Sequence, residues 1–134
     1  MPKEIVDVPG FAARKGADGK PLTPLSYAVK ANGFVFVSGL PPVDRDTGEF
    51  VGGDIQAQTR QSLENVKYVL ECAGTSLENV VKATVYCTNS GYFAKVNEVY
   101  REYFPSDQPA RTFCTVGSWP MPFDIEIECV AVAE

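Results

Sequence analysis

Several residues in this chain have the types and spacing to handle a small acid. Arg111 follows Pro109-Ala110 and opens an apolar-patterned segment. Its guanidinium stays protonated and offers a planar fork that matches a carboxylate. Glu126 and Glu128 alternate with Ile125, Ile127 and Cys129, which sets both carboxyls on one face of a strand and the apolar side chains on the other. A carboxyl beside apolar neighbours can serve as a general acid or base, worth on the order of 10² to 10⁴ in rate. Ser38-Gly39 ends an apolar run, where a glycine allows a ligand close to backbone N–H groups. Asn97 falls within a helical pattern, and Trp119-Pro120-Met121-Pro122 is a stiff apolar connection suited to a pocket wall. Each feature also has a plainer reading. Arg111 would sit in an ion pair, the glutamates on the wet side of an edge strand, Ser38-Gly39 at an ordinary strand end, Asn97 in solvent, and the Trp-Pro loop against a neighbour.

The chain has no histidine, which excludes Ser-His-Asp and Cys-His nucleophiles and removes the commonest metal ligand. Cys72, Cys87, Cys114 and Cys129 are widely spaced with no C-x-x-C pair, and read as buried free thiols rather than a disulfide or zinc site. Cys114, three residues from Arg111, is expected to face away from it and into the core.

These residues need a frame. Glu4 to Val8 reads as a short strand, followed by a Gly- and charge-rich turn up to Lys20. Tyr27 to Ala31 and Phe34 to Val37 read as a hairpin joined by Asn32-Gly33. Asp54 caps a helix running to about Ala73, with Gly74 as its stop. Ile55, Thr59, Ser62, Val66, Val69 and Ala73, widened by Leu63 and Leu70, form its inward stripe. Val80 to Thr88 alternates as a strand. Ser90 caps a second helix to about Phe104, with Phe93, Val96, Val99, Tyr100 and Tyr103 on its apolar side. Arg111 to Val116 and Phe123 to Ala133 complete a mixed sheet. This is an α+β order with two helices on one face of the sheet. Phe34 to Val37 and the end of the last strand are apolar on both faces, so a second copy of the chain is expected to cover the other side.

At 134 residues the chain fits one domain, read as 1–134. A net charge of −5 with scattered Lys and Arg argues against nucleic acid as partner. The longest strongly apolar runs are too short for a bilayer, and the first residues lack a signal-peptide pattern, so a cytoplasmic protein is expected.

The chain resembles the RidA (YjgF) family over nearly its whole length. The resemblance is carried by Phe34-Val35-Phe36-Val37-Ser38-Gly39, Thr47-Gly48-Glu49, Gln58-Thr59-Arg60-Gln61-Ser62-Leu63-Glu64-Asn65-Val66, Ala73-Gly74 and Val81-Lys82-Ala83-Thr84-Val85. It continues through Phe93-Ala94-Lys95-Val96-Asn97-Glu98-Val99-Tyr100, Pro109-Ala110-Arg111-Thr112 and Ile125-Glu126-Ile127-Glu128. The resemblance implies a chorismate-mutase-like fold, a homotrimer with clefts between subunits, and cofactor-free, metal-free hydrolysis of enamines and imines to 2-oxo acids and ammonia. By position, Arg111 would grip the substrate carboxylate, Ser38, Gly39 and Asn97 would lie near the ligand, and Glu126 would position or activate water. The chain also departs from the family. Leu25 stands where deaminating members have a tyrosine, with Tyr27 out of register by two. Phe113 replaces a common cysteine on the arginine's own strand face, Leu40 a glutamine, and Trp119 a leucine. These changes imply a more apolar cleft and a bulkier substrate than 2-aminoacrylate. A non-catalytic module binding small carboxylates is the alternative. A catabolic deaminase of an amino-substituted ring-cleavage acid is a third reading, and the RNA cleavage attributed to some relatives sits poorly with the acidic charge.

Overall fold

The structure, a computed structural model, describes residues 2–11 and 16–133. Part of the turn read before Lys20, residues 12–15, lies outside them. Among the described residues, six strands and two α-helices run in the order β1 (Glu4–Ile5), β2 (Ala28–Ala31), β3 (Phe34–Leu40), α1 (Ile55–Cys72), β4 (Val80–Cys87), α2 (Phe93–Tyr103), β5 (Ala110–Thr115) and β6 (Ile125–Val132). The strands form one sheet in the order β1-β2-β3-β6-β4-β5. Only β4 and β5 are parallel; the other pairs are antiparallel.

Local chemistry sets these boundaries. Asn32 and Gly33 take left-handed φ values of 52° and 81°, the pair that a two-residue hairpin between β2 and β3 requires. The Asp54 carboxylate accepts from the Gln56 N–H and starts α1. Gly74, at φ 81°, ends it, and the Thr75 N–H reaches back to the Leu70 carbonyl. The second helix differs from the sequence reading. Asn89, not Ser90, makes the capping contact by accepting from the Gly91 N–H at 2.8 Å. A short 3-10 turn then occupies Ser90–Tyr92, and α2 begins at Phe93.

Both helices pack in one core with the sheet face carrying Val35, Val37, Val85, Ile125, Ile127 and Ala131. Every residue of the expected α1 stripe is buried. So are Gln58 and Asn65, which periodicity alone did not mark as inward. Asn65 donates to the carbonyls of Pro41 and Val43, and Ser62 to that of Leu40. Gln58 donates to the Asp124 carboxylate and the Gly53 carbonyl, and accepts from the Asp124 N–H. These polar groups fasten α1 to the exit of β3 and the entry of β6. A buried donor or acceptor without a partner costs about 1–3 kcal/mol, so each is held by a specific bond.

Among the described residues, no helix covers the opposite sheet face. Phe34, Phe36, Val81 and Val132 are 40%, 47%, 44% and 39% exposed. The four cysteines only partly match the expected buried thiols. All four are free and Cys87 and Cys129 are buried, but Cys72 is only partly buried and Cys114 is exposed. Cys114 does face away from Arg111, but β5 is an edge strand with no helix on that side, so this direction leads to the uncovered face and not to the core.

Candidate functional site

Sheet register decides which predicted residues meet. On β4 and β5, Ala83 pairs with Arg111 and Val85 with Phe113. Ala83 and Val85 point into the helix-side core, so Arg111 and Phe113 share that face, as expected. On β6, Glu126 pairs with Tyr86 and Glu128 with Thr84, on the uncovered face. Arg111 and Glu126 of one chain therefore lie on opposite sides of the sheet. The predicted residues fall into two separate clusters.

The first cluster surrounds Arg111. Its Nη1 donates to the Asn97 side-chain oxygen at 2.8 Å, bridging β5 to α2. The guanidinium carbon lies 4.8 Å from the Tyr100 ring centre and 5.6 Å from that of Phe93. Phe93 meets Phe113 edge-on at 5.0 Å. Cation–π attraction and one hydrogen bond thus hold the fork in place. Among the described residues Arg111 makes no ion pair; the one salt bridge joins Arg60 to Glu102. The plainer reading of Arg111 as a structural ion pair does not describe this chain. Asn97 is likewise no idle surface residue. Phe93, expected in the core, is 46% exposed beside the guanidinium. Tyr100 is buried behind Arg111 with its hydroxyl unpartnered among the described residues, and burial pushes its pKa up to about 12.

The second cluster surrounds Glu126. A bulge interrupts the β3–β6 pairing between Val37 and Leu40, and there Gly39 lies against Glu126. A Cβ on Gly39 would stand 1.9 Å from Glu126 Oε2, so only glycine leaves room for that carboxylate. Ser38 donates its hydroxyl to the Ser26 carbonyl at 2.7 Å, which spends its proton on the fold. Glu126 lines a cavity of about 250 Å³ with Tyr86, Val116, Ser118 and Trp119. Trp119 stacks on Phe123 at 4.6 Å, and Phe123 on Phe50 at 5.2 Å, so the indole is one plane of a fixed three-ring ladder. Burial, and then the charge of Glu128, raises the Glu126 pKa above the usual carboxylate range, with Trp119 opposing. Tyr86 donates to Glu128 at 2.7 Å, and that bond to a carboxylate leads the causes lifting the tyrosine to about 12.

A family model described as Endoribonuclease L-PSP matches residues 17–133. A RutC family protein of Pyrococcus horikoshii is 51% identical over 115 residues, covering 86% of this chain and 91% of the relative. Reactive Intermediate Deaminase A, chloroplastic, of Arabidopsis thaliana is 41% identical over 110 residues, or 82% of this chain and 59% of that protein. The chain belongs to the RidA (YjgF) family. The crystal structure of E. coli TdcF with bound serine has a TM-score of 0.84 at 34% identity, covering 98% of this chain and 99% of the other. The RidA-family fold expected from sequence, an α+β mixed sheet with two helices, is thus the observed one. Among the described residues no helix is long and apolar enough to cross a membrane.

The two clusters of this RidA-family chain also have neighbours that the sequence patterns did not single out. Phe93 and Tyr100 appeared only as members of an apolar helix stripe, yet both pack on the arginine. Tyr86 was legible as a polar partner of Glu128 only through register, because the two are 42 residues apart.

Proposed function

We propose that this chain is an enamine/imine deaminase that releases ammonia and a 2-oxo acid without a cofactor. The observation that carries this reading is the Arg111 guanidinium, oriented by Asn97 and two aromatic rings yet bound to no carboxylate of its own chain among the described residues. A substrate carboxylate completes it. Glu126, whose pKa burial raises beside the small cavity, supplies the proton-transfer group.

The chemistry is modest. An enamine tautomerises to an imine, water adds to the electrophilic carbon, and the C–N bond breaks as ammonia leaves. Orientation of substrate and water supplies most of what the protein must contribute. Because Arg111 and Glu126 occupy opposite sheet faces, one chain does not bring them to one substrate. The reading therefore includes a homo-oligomer, a trimer by family resemblance, in which Arg111 of one copy approaches Glu126 of the next. The exposed Phe34, Phe36, Val81 and Val132 support burial of that face between copies. The cavity beside Glu126, about 250 Å³, is smaller than the ~300–1,000 Å³ of complete ligand pockets, as half of a shared site would be. The Arabidopsis relative's name and the serine bound in TdcF support an amino-acid-derived ligand.

The test is ammonia release from enamines and imines generated in solution, with wild type, Arg111→Ala and Glu126→Gln side by side. Acceleration over buffer that both substitutions abolish is the expected result. Binding of 2-oxo acids without any acceleration would instead select a carboxylate-binding module using the same arginine. Sedimentation as a stable monomer at micromolar concentration would remove the shared site.

A further inference from the structure

We infer, on the deaminase reading above, that the site takes 2-imino acids bearing an aromatic side chain and that Phe113 is the residue that selects them. Two observations in different parts of the fold point the same way. Beside the guanidinium, the exposed Phe93 ring and the half-buried Phe113 ring meet edge-on at 5.0 Å, while Phe93 is 5.6 Å from the guanidinium carbon. A ligand held by its carboxylate at Arg111 has this apolar wall within reach of its side chain. Beside Glu126, Trp119 presents the last plane of the Trp119–Phe123–Phe50 ladder to the cavity.

Exposed aromatic surface next to a ligand-binding cation marks a place where a bound group can bury apolar area. A methyl or methylene group covers neither wall. An aryl ring reaches Phe113 and Phe93 and adds ring–ring contact to the area it buries. Such burial translates into about a 10- to 100-fold gain in kcat/KM over a substrate with one carbon beyond C2. The step itself is unchanged: 2-imino-3-phenylpropanoate takes up one water at C2, the C–N bond breaks, ammonia leaves, and 2-oxo-3-phenylpropanoate remains.

The experiment generates imines in place from D-phenylalanine and D-alanine with a D-amino acid oxidase and catalase, and follows trapping of residual imine by semicarbazide. The wild type is expected to hydrolyse the phenyl imine with kcat/KM at least about tenfold above that of the alanine imine. Phe113→Ala collapses that ratio toward one, and Phe113→Leu, which keeps more of the packing, gives an intermediate ratio. Calorimetric titration with 2-oxo-3-phenylpropanoate and pyruvate forms a second arm that does not depend on turnover. Tighter phenyl binding that Phe113→Ala abolishes supports aromatic selection even where no imine is hydrolysed, a result that would overturn the deaminase reading alone. Equal values for the two side chains in both arms, or a preference that survives Phe113→Ala, overturns the role of Phe113.

Discussion

The Asn97 side-chain oxygen accepts a 2.8 Å hydrogen bond from Arg111 Nη1, so a neutral amide on a helix orients the cation of an edge strand. A neutral acceptor fixes the fork without neutralising it, which leaves the positive charge for a ligand. Asn97→Ala is expected to loosen Arg111 and weaken 2-oxo acid binding by about tenfold, the worth of one charge-assisted hydrogen bond. Asn97→Asp should be worse, because a carboxylate in that place competes with the ligand. Titration calorimetry of both variants checks the order; equal losses would deny the competition.

Arg111→Lys keeps the charge and loses the fork. The ammonium lacks both the fixed fork of N–H groups and the delocalised plane of the guanidinium, whose carbon lies 4.8 Å and 5.6 Å from the Tyr100 and Phe93 ring centres. Its kcat/KM is expected to fall nearly as far as that of Arg111→Ala, roughly 10- to 100-fold from the bidentate contact alone. Steady-state kinetics on both variants is the measurement, and near-wild-type activity in Arg111→Lys would reduce the arginine to a point charge.

Gly39→Ala drives a methyl group toward Glu126 Oε2, to 1.9 Å if nothing moved. The flexible carboxylate end gives way more easily than the backbone, so the damage is to the site and not to the fold. Activity should drop at least about tenfold while thermal stability changes by less than roughly 1 kcal/mol. A large loss of melting temperature with proportionate loss of activity would place the strain in the bulge instead.

The sequence made some of this arrangement readable and hid the rest for physical reasons. The Asn32-Gly33 turn, the Asp54 cap and the β6 alternation are local, and each follows from a few adjacent residues. The face shared by Arg111 and Phe113 is local too, because strand periodicity sets it. What periodicity does not carry is register between distant strands. It is register that places Glu126 beside Tyr86 and on the sheet face away from Arg111. Cys114 shows the same limit: its direction was legible, but whether that direction meets core or open surface depends on which side the helices take. Gln58 and Asn65 were hidden because an amide on a helix flank looks the same facing solvent as facing a strand carbonyl.

Gln58 is the residue whose loss the fold should feel most among these. It joins α1 to Asp124 by two hydrogen bonds and to the Gly53 carbonyl by a third, all at a fully buried position. Gln58→Leu leaves the Asp124 N–H and carboxylate to find other partners, and is expected to cost about 2–3 kcal/mol in denaturant unfolding. Because β6 begins at Ile125, the same change should also reduce the precision with which Glu126 is held. A loss below about 0.5 kcal/mol would mean that water replaces the amide.

Burial, and then the charge of Glu128, raises the pKa of Glu126, which makes stability depend on pH. In the window between the ordinary carboxylate value and the raised one, the native state keeps a proton that the unfolded chain has released. Stability is therefore full below that window and falls as pH rises through it. Glu126→Gln removes the ionisation, so the variant should match wild type below the ordinary carboxylate value, near about pH 4, and become more stable than it as pH rises above that value. Thermal melts across that range read the divergence directly. The same substitution removes the proton-transfer group, so the variant that gains stability with pH is expected to be the one that loses deamination. A gain independent of pH would assign the effect to packing of the amide, and retained activity would move proton transfer to another group.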